Sequence, residues 1–116
     1  MKKEERTFKI YLDDMILAMN RIAEYIENLD LNSFINDYKT VDAVIRNFEI
    51  IGEASKNIPD ELKTMYKDVP WKEMYYLRNK VSHEYFGIDY EVIFDIAKNH
   101  LPKNLIQIED VLKSEF

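Results

Sequence analysis

The chain has no cysteine, only two glycines and three prolines, and no uninterrupted apolar run of membrane-spanning length. Without cysteine there is no disulfide framework, no thiol nucleophile and no thiolate-held zinc or iron–sulfur centre. So few glycines and prolines cannot supply the turn every ~8–12 residues that a β-sandwich or barrel needs. The opening MKKEERTFKIYLDD is basic, but Asp13 and Asp14 break any apolar signal core. Positive charge is in deficit as well. Sixteen Lys+Arg face 22 Asp+Glu, a formal −6, which argues against wrapping nucleic acid by bulk charge. A local basic patch stays compatible with that balance.

What remains is a globular composition. Hydrophobic residues are 47% of the 116 and charged residues 33%, so the chain is not disordered by composition. Its length suits one domain over residues 1–116, large enough to bury roughly two thirds of the surface of its unfolded chain. Eight Tyr, six Phe and one Trp are many for a helical domain, and some of them suit an interface. The expectation is a soluble, cytoplasmic, mainly helical protein with no membrane span.

Periodicity supplies the elements. Phe8, Leu12, Met15, Met19, Ile22, Ile26 and Leu29 recur at spacings of 4,3,4,3,4,3, one stripe of a helix over about residues 6–29. Leu31-Asn32-Ser33 is a short connection, with Asn32 or Ser33 as N-cap. Phe34, Tyr38, Val41, Ile45, Phe48, Gly52 and Ser55 repeat the spacing in a second long helix, with Val44 and Ile51 widening its face. At Gly52 the stripe loses its bulk. A mid-helix glycine costs ~1 kcal/mol relative to alanine, so close approach of another backbone is expected there. Pro59-Asp60-Glu61 opens a short third helix ending by Lys67-Asp68, and Pro70 opens a fourth running to about Phe86, stopped by Gly87. Asp89 caps a last segment whose apolar face is Val92, Ile93, Ile96, Ala97, Leu101, Leu105, Ile108 and Leu112, kinked or divided by Pro102. The fold class is all-α, an up-and-down bundle of four to five helices.

Chemistry concentrates in one stretch. Only two histidines exist, and no HExxH or EF-hand spacing accompanies them, so no metal site is expected. His100 reads as a surface residue at a helix C-terminal turn. Between Trp71 and Tyr85, by contrast, Arg78, Asn79, Lys80, Ser82, His83 and Tyr85 crowd into about two turns. At about 100° per residue Arg78 and Tyr85 fall on nearly one meridian, Asn79 and His83 share another, and His83 lies about 140° from Arg78. Either the long arginine bends round, or a second copy of the helix completes the site across a two-fold axis. The second arrangement is preferred, because a polar, aromatic helix face in an acidic monomer wants a partner. On pattern alone the stretch is also compatible with an ordinary solvated helix face.

Arg78-Asn79-x-x-x-His83-x-Tyr85 resembles the Arg–x4–His–x–Tyr signature of the HEPN superfamily (higher eukaryote and prokaryote nucleotide-binding domains), in its HepT-like toxin branch. Arg46-x-x-Glu49-x-x-Gly52-Glu53-Ala54 is similar to the family's second-helix motif, Pro70-Trp71 to the start of its motif helix, and Leu101-Pro102 to its final helix. The likeness spans about residues 40–105. It implies an all-α HEPN-like fold dimerising near the motif helix. It also implies a toxin paired with a minimal nucleotidyltransferase antitoxin, and a metal-independent endoribonuclease, without cofactor, whose sites form where two protomers meet. Arg78 and His83 would then be the catalytic pair, with Asn79 orienting the loop or the scissile phosphate. Tyr85 would be the hydroxyl that the antitoxin adenylylates.

Around this core, Glu53 either pairs with Arg78 or Lys80 or is a simple surface carboxylate. Lys63, Lys67, Lys72 and Lys80 either form the basic patch that RNA requires or are scattered solubilising charges. Trp71 reads as a core anchor, and Tyr75, Tyr76 and Phe86 as packing or dimer residues. The rival to a nuclease is a non-catalytic module in which the same dimer recognises a nucleotide or its partner enzyme.

Overall fold

The computed structural model describes the backbone of residues 3–83 and 89–116 and the side chains of residues 8–77 and 89–116. Helix α1 (Lys3–Ile26) leads into a short α2 (Leu31–Ile35), then α3 (Tyr38–Lys56), α4 (Asp60–Met65), α5 (Trp71–His83), α6 (Tyr90–Asp95) and α7 (Leu101–Glu115), with a π-helical turn over Ile96–His100. No strand occurs among the described residues. This is an all-α bundle. α3 is its centre, packed most extensively on α5 and α1, with α7 closing over α1.

The first stripe is as expected: Phe8, Leu12, Met15, Met19, Ile22 and Ile26 are all buried, and Leu29 packs against the same core. The second long helix differs. It is two helices, broken at Asn36–Asp37, because two aspartates cap in succession. The Asp30 carboxylate accepts the Ser33 N–H at 2.7 Å and starts α2. Asp37 accepts the Thr40 N–H at 3.2 Å and the Thr40 hydroxyl at 2.7 Å and starts α3. The N-cap of α2 is therefore Asp30, not Asn32 or Ser33. The break resets the helical phase, so Phe34 and Val41 stay buried while Tyr38 swings out to 71% exposure. Downstream the stripe resumes through Val44, Phe48, Ile51 and Ser55.

Pro102 acts one turn upstream of itself. Lacking an N–H, it cannot bond the carbonyl four residues back, and the chain widens into the π-helical turn before α7 begins. Asp89 caps α6 as expected, accepting the Glu91 and Val92 N–H groups. Val92 itself is exposed, while Ile93, Ala97, Leu101, Ile108 and Val111 face inward. The expected helix end at Phe86 and the stop at Gly87 lie outside the described residues. Among the described residues no helix is long and apolar enough to cross a membrane.

Candidate active site

α5 carries the motif, and its first turn is pinned from three directions. The Met74 N–H reaches the Pro70 carbonyl at 3.0 Å. The Trp71 indole N–H donates to the Tyr66 carbonyl at 3.0 Å with the ring buried, so Trp71 is the core anchor its sequence position suggests. The fully buried Ser55 hydroxyl of α3 donates to the Trp71 carbonyl at 2.8 Å. Ser55 and Gly52, one turn apart on α3 and both buried, therefore mark the α5 side of that helix. No described glycine has positive φ. A buried Gly52 with no Cβ suits close packing of α3 on α5.

From this anchor α5 runs unbroken to His83, burying Met74 and Leu77, half-burying Tyr75 and exposing Tyr76. Tyr75 and Tyr76 stack obliquely with ring centroids 5.7 Å apart. Arg78, Asn79 and His83 thus stand on one continuous helix. Positions 79 and 83 share a meridian, and positions 78 and 83 diverge by about 140°. The side chains of Arg78, Asn79, Lys80 and His83, and the whole of Tyr85 and Phe86, lie outside the described residues.

Two grooves flank this scaffold. One, of about 430 Å³, lies between α1 and α3 and is lined by Tyr11, Asp14, Arg46, Glu49, Glu53 and Asn57 among others. Exposed Arg46 and half-buried Glu49 form a pair at 3.6 Å within it. Glu53 is exposed on the same wall, and its main-chain carbonyl accepts the Asn57 amide at 2.9 Å. The expected pairing of Glu53 with Arg78 or Lys80 involves side chains outside the described residues.

The second groove, of about 660 Å³, lies where α3 ends and α5 begins. Lys63, Lys67 and Lys72, separated in sequence, meet along it, joined by Lys56 from the last turn of α3. Lys56 has no local signal in the sequence; only the α3–α5 packing brings it in. Asp68, Glu73, Val69, Pro70, Trp71 and Tyr75 complete the lining. The wall formed by residues 66–70 is fixed: Gln107 of α7 donates to the Asp68 carbonyl at 3.0 Å, and the Tyr66 hydroxyl donates to the Glu115 carboxylate at 2.5 Å. That bond to Glu115, with desolvation second, holds the Tyr66 phenol above its ordinary pKa.

His100 is exposed at the end of the π-helical turn, with Nε2 3.4 Å from the Asp95 carboxylate. It sits on the surface as expected, though its partner is a carboxylate rather than helix carbonyls.

An all-α bundle whose central helix packs on a motif helix bearing Arg–x4–His defines a helical domain of the HEPN class. Comparison with known proteins narrows this. The family model described as Ribonuclease HepT-like matches residues 15–111. A Methanocaldococcus jannaschii protein provisionally named an RNase is 43% identical over 112 residues, 97% of this chain and 90% of its own. A probable ribonuclease HepT from Thermococcus cleftensis is 43% identical over 98 residues, 84% of this chain and 89% of its own. A second M. jannaschii protein, also provisionally an RNase, is 42% identical over 107 residues, 92% of this chain and 98% of its own. No solved structure gives a significant match. The chain belongs to the HepT-like ribonuclease family.

Proposed function

We propose that the protein is a metal-independent endoribonuclease, acting as a homodimer, and the toxin of a toxin–antitoxin pair silenced by adenylylation of Tyr85 by a minimal nucleotidyltransferase. The observation that carries the nuclease reading is the HepT-like match together with an unbroken α5 bearing Arg78 and His83. The divergence of about 140° between those positions favours completion of each site by a second chain.

RNA brings its own nucleophile. The 2′-hydroxyl attacks the adjacent phosphorus, a neutral imidazole of one protomer's His83 (ordinary pKa about 6.5) takes its proton and later returns it to solvent, and the 5′-oxygen leaves with a proton from solvent water. A 2′,3′-cyclic phosphate and a free 5′-hydroxyl result. Arg78, always charged and planar, neutralises the equatorial oxygens of the phosphorane through its fork, and Asn79 orients the phosphate. An adenylyl group on Tyr85, seven residues on from Arg78 in the chain, adds bulk and negative charge where the substrate phosphate must pass.

The test is to incubate the purified protein with tRNA and total RNA in chelator. The wild type is expected to cleave, and Arg78→Ala and His83→Ala to lose about 10²–10⁴-fold in rate while keeping their fold by circular dichroism. Undiminished cleavage by either variant removes its catalytic role. Mass analysis after co-expression with a nucleotidyltransferase encoded beside the gene tests the regulation: an adenylyl increment on Tyr85 is expected, and an unmodified tyrosine contradicts it.

A further inference from the structure

The groove at the start of α5 gathers four lysines, Lys56, Lys63, Lys67 and Lys72, against two carboxylates, Asp68 and Glu73, in a chain whose formal charge is −6. Among the described residues none of these four ammonium groups is in an ion pair, whereas Lys9 is held by Asp13 and Arg46 by Glu49. The positive charge is therefore local, in excess of the two carboxylates beside it, and concave. Its volume of about 660 Å³ falls within the roughly 300–1,000 Å³ of ligand clefts. Half-buried Tyr75 adds an aromatic edge on which a base can stack. The helix then links groove and motif. Trp71, Tyr75 and position 78 recur at spacings of four and three, so they share one meridian of α5, and position 78 lies only about 4.5 Å further along the axis than Tyr75.

We infer that this groove binds the sugar–phosphate backbone of a single-stranded RNA segment next to the scissile phosphate, guiding the strand along α5 toward Arg78. The inference rests on the ribonuclease reading above and adds to it a binding track distinct from the motif residues. An acidic protein surface is the other ligand such lysines take. The adjacent tyrosine and the register toward Arg78 favour the nucleic acid.

The experiment measures binding of a fluorescein-labelled, unstructured 20-nucleotide RNA to the full-length His83→Ala protein by anisotropy at 50–200 mM salt, with wild-type cleavage assayed in parallel. Four phosphate contacts on a single strand predict a log–log salt slope of about −2.8, an approximately 50-fold loss of affinity across that range. Lys63→Gln/Lys67→Gln/Lys72→Gln in the His83→Ala background is expected to reduce the slope by about 2 and to weaken binding more than tenfold at the lowest salt. The matching triple Lys→Arg variant should keep both, and Lys103→Gln/Lys113→Gln, which removes charge elsewhere on the surface, should change affinity less than about twofold. Cleavage by the wild type combined with an unchanged slope in the triple Gln variant overturns the groove and leaves the nuclease standing. Loss of binding in the Arg variant overturns it too, since charge at these positions would then not be what binds. So does binding of poly-glutamate through the same lysines as tightly as RNA. A wild type that neither binds nor cleaves RNA brings down both readings.

Discussion

The two grooves beside α3 are opposites in chemistry. Between α1 and α3, Asp14, Glu49 and Glu53 outnumber Arg46, whose guanidinium pairs with Glu49. Between the end of α3 and the start of α5, four lysines, none of them in an ion pair among the described residues, outnumber Asp68 and Glu73. One helix thus lines an acidic groove with Glu49 and Glu53 and, where it ends, a basic groove with Lys56. An overall charge of −6 therefore says little about RNA binding. What matters is which groove each charge is folded into.

That comparison can be broken in several ways. The largest effect is expected on the chemistry itself, the loss of cleavage in Arg78→Ala or His83→Ala described above, which should leave the salt dependence of RNA binding through the lysines in place. Next comes Gly52→Leu, which forces a side chain into the α3–α5 contact. It should cost about 1–3 kcal/mol in denaturant unfolding and disturb the basic groove before the acidic one, because α5 and not α1 is displaced. Ser55→Ala removes the buried hydrogen bond to Trp71 and should cost about 1 kcal/mol, with a measurable loss of RNA affinity as the groove wall loosens.

A smaller effect concerns pH. The hydrogen bond from the Ser33 N–H holds the Asp30 carboxyl below the ordinary range, and those from the Thr40 hydroxyl and N–H do the same for Asp37. A depressed folded-state pKa stabilises the native chain above the ordinary Asp value of about 3.9 and loses that contribution as pH falls through the lower folded value. Thermal melts between pH 6 and 2 should therefore fall more steeply below about pH 4 for the wild type than for Asp30→Asn/Asp37→Asn. The smallest effect is the control for the comparison. Asp14→Asn/Glu49→Gln in the acidic groove should change RNA affinity by less than about twofold, and a large gain would mean that the two grooves are not electrically separate.

Much of this was legible in the sequence, and the exceptions have physical causes. The α1 stripe was fully readable because one uninterrupted helix keeps its phase, and every residue of it meets the core. Spacing alone points Tyr38 inward, yet it lies outside, because spacing does not reveal that Asp37 restarts the helix. Gly52 is readable as the point where the stripe loses its bulk, and it lies buried one turn from Ser55, which bonds to α5. Pro102 announced a distortion, but not that it would take the form of a π-helical turn ahead of itself. In the candidate site the register of Arg78, Asn79 and His83 on one helix was readable from their spacing and holds along the backbone of α5. The lysine groove was only half readable. Lys63, Lys67 and Lys72 are separated in sequence and Lys56 joins them through tertiary packing, and no local pattern separates clustered lysines from dispersed ones.

The central claim is that arginine and imidazole meet across two chains, and complementation tests it most directly. Arg78→Ala and His83→Ala proteins, each inactive alone, are mixed in equal amounts, unfolded and refolded together, and assayed on RNA. If each site takes its arginine from one protomer and its histidine from the other, half the dimers regain one intact site of two, and about a quarter of the wild-type rate returns. A mixture as inactive as its components would contradict the shared site.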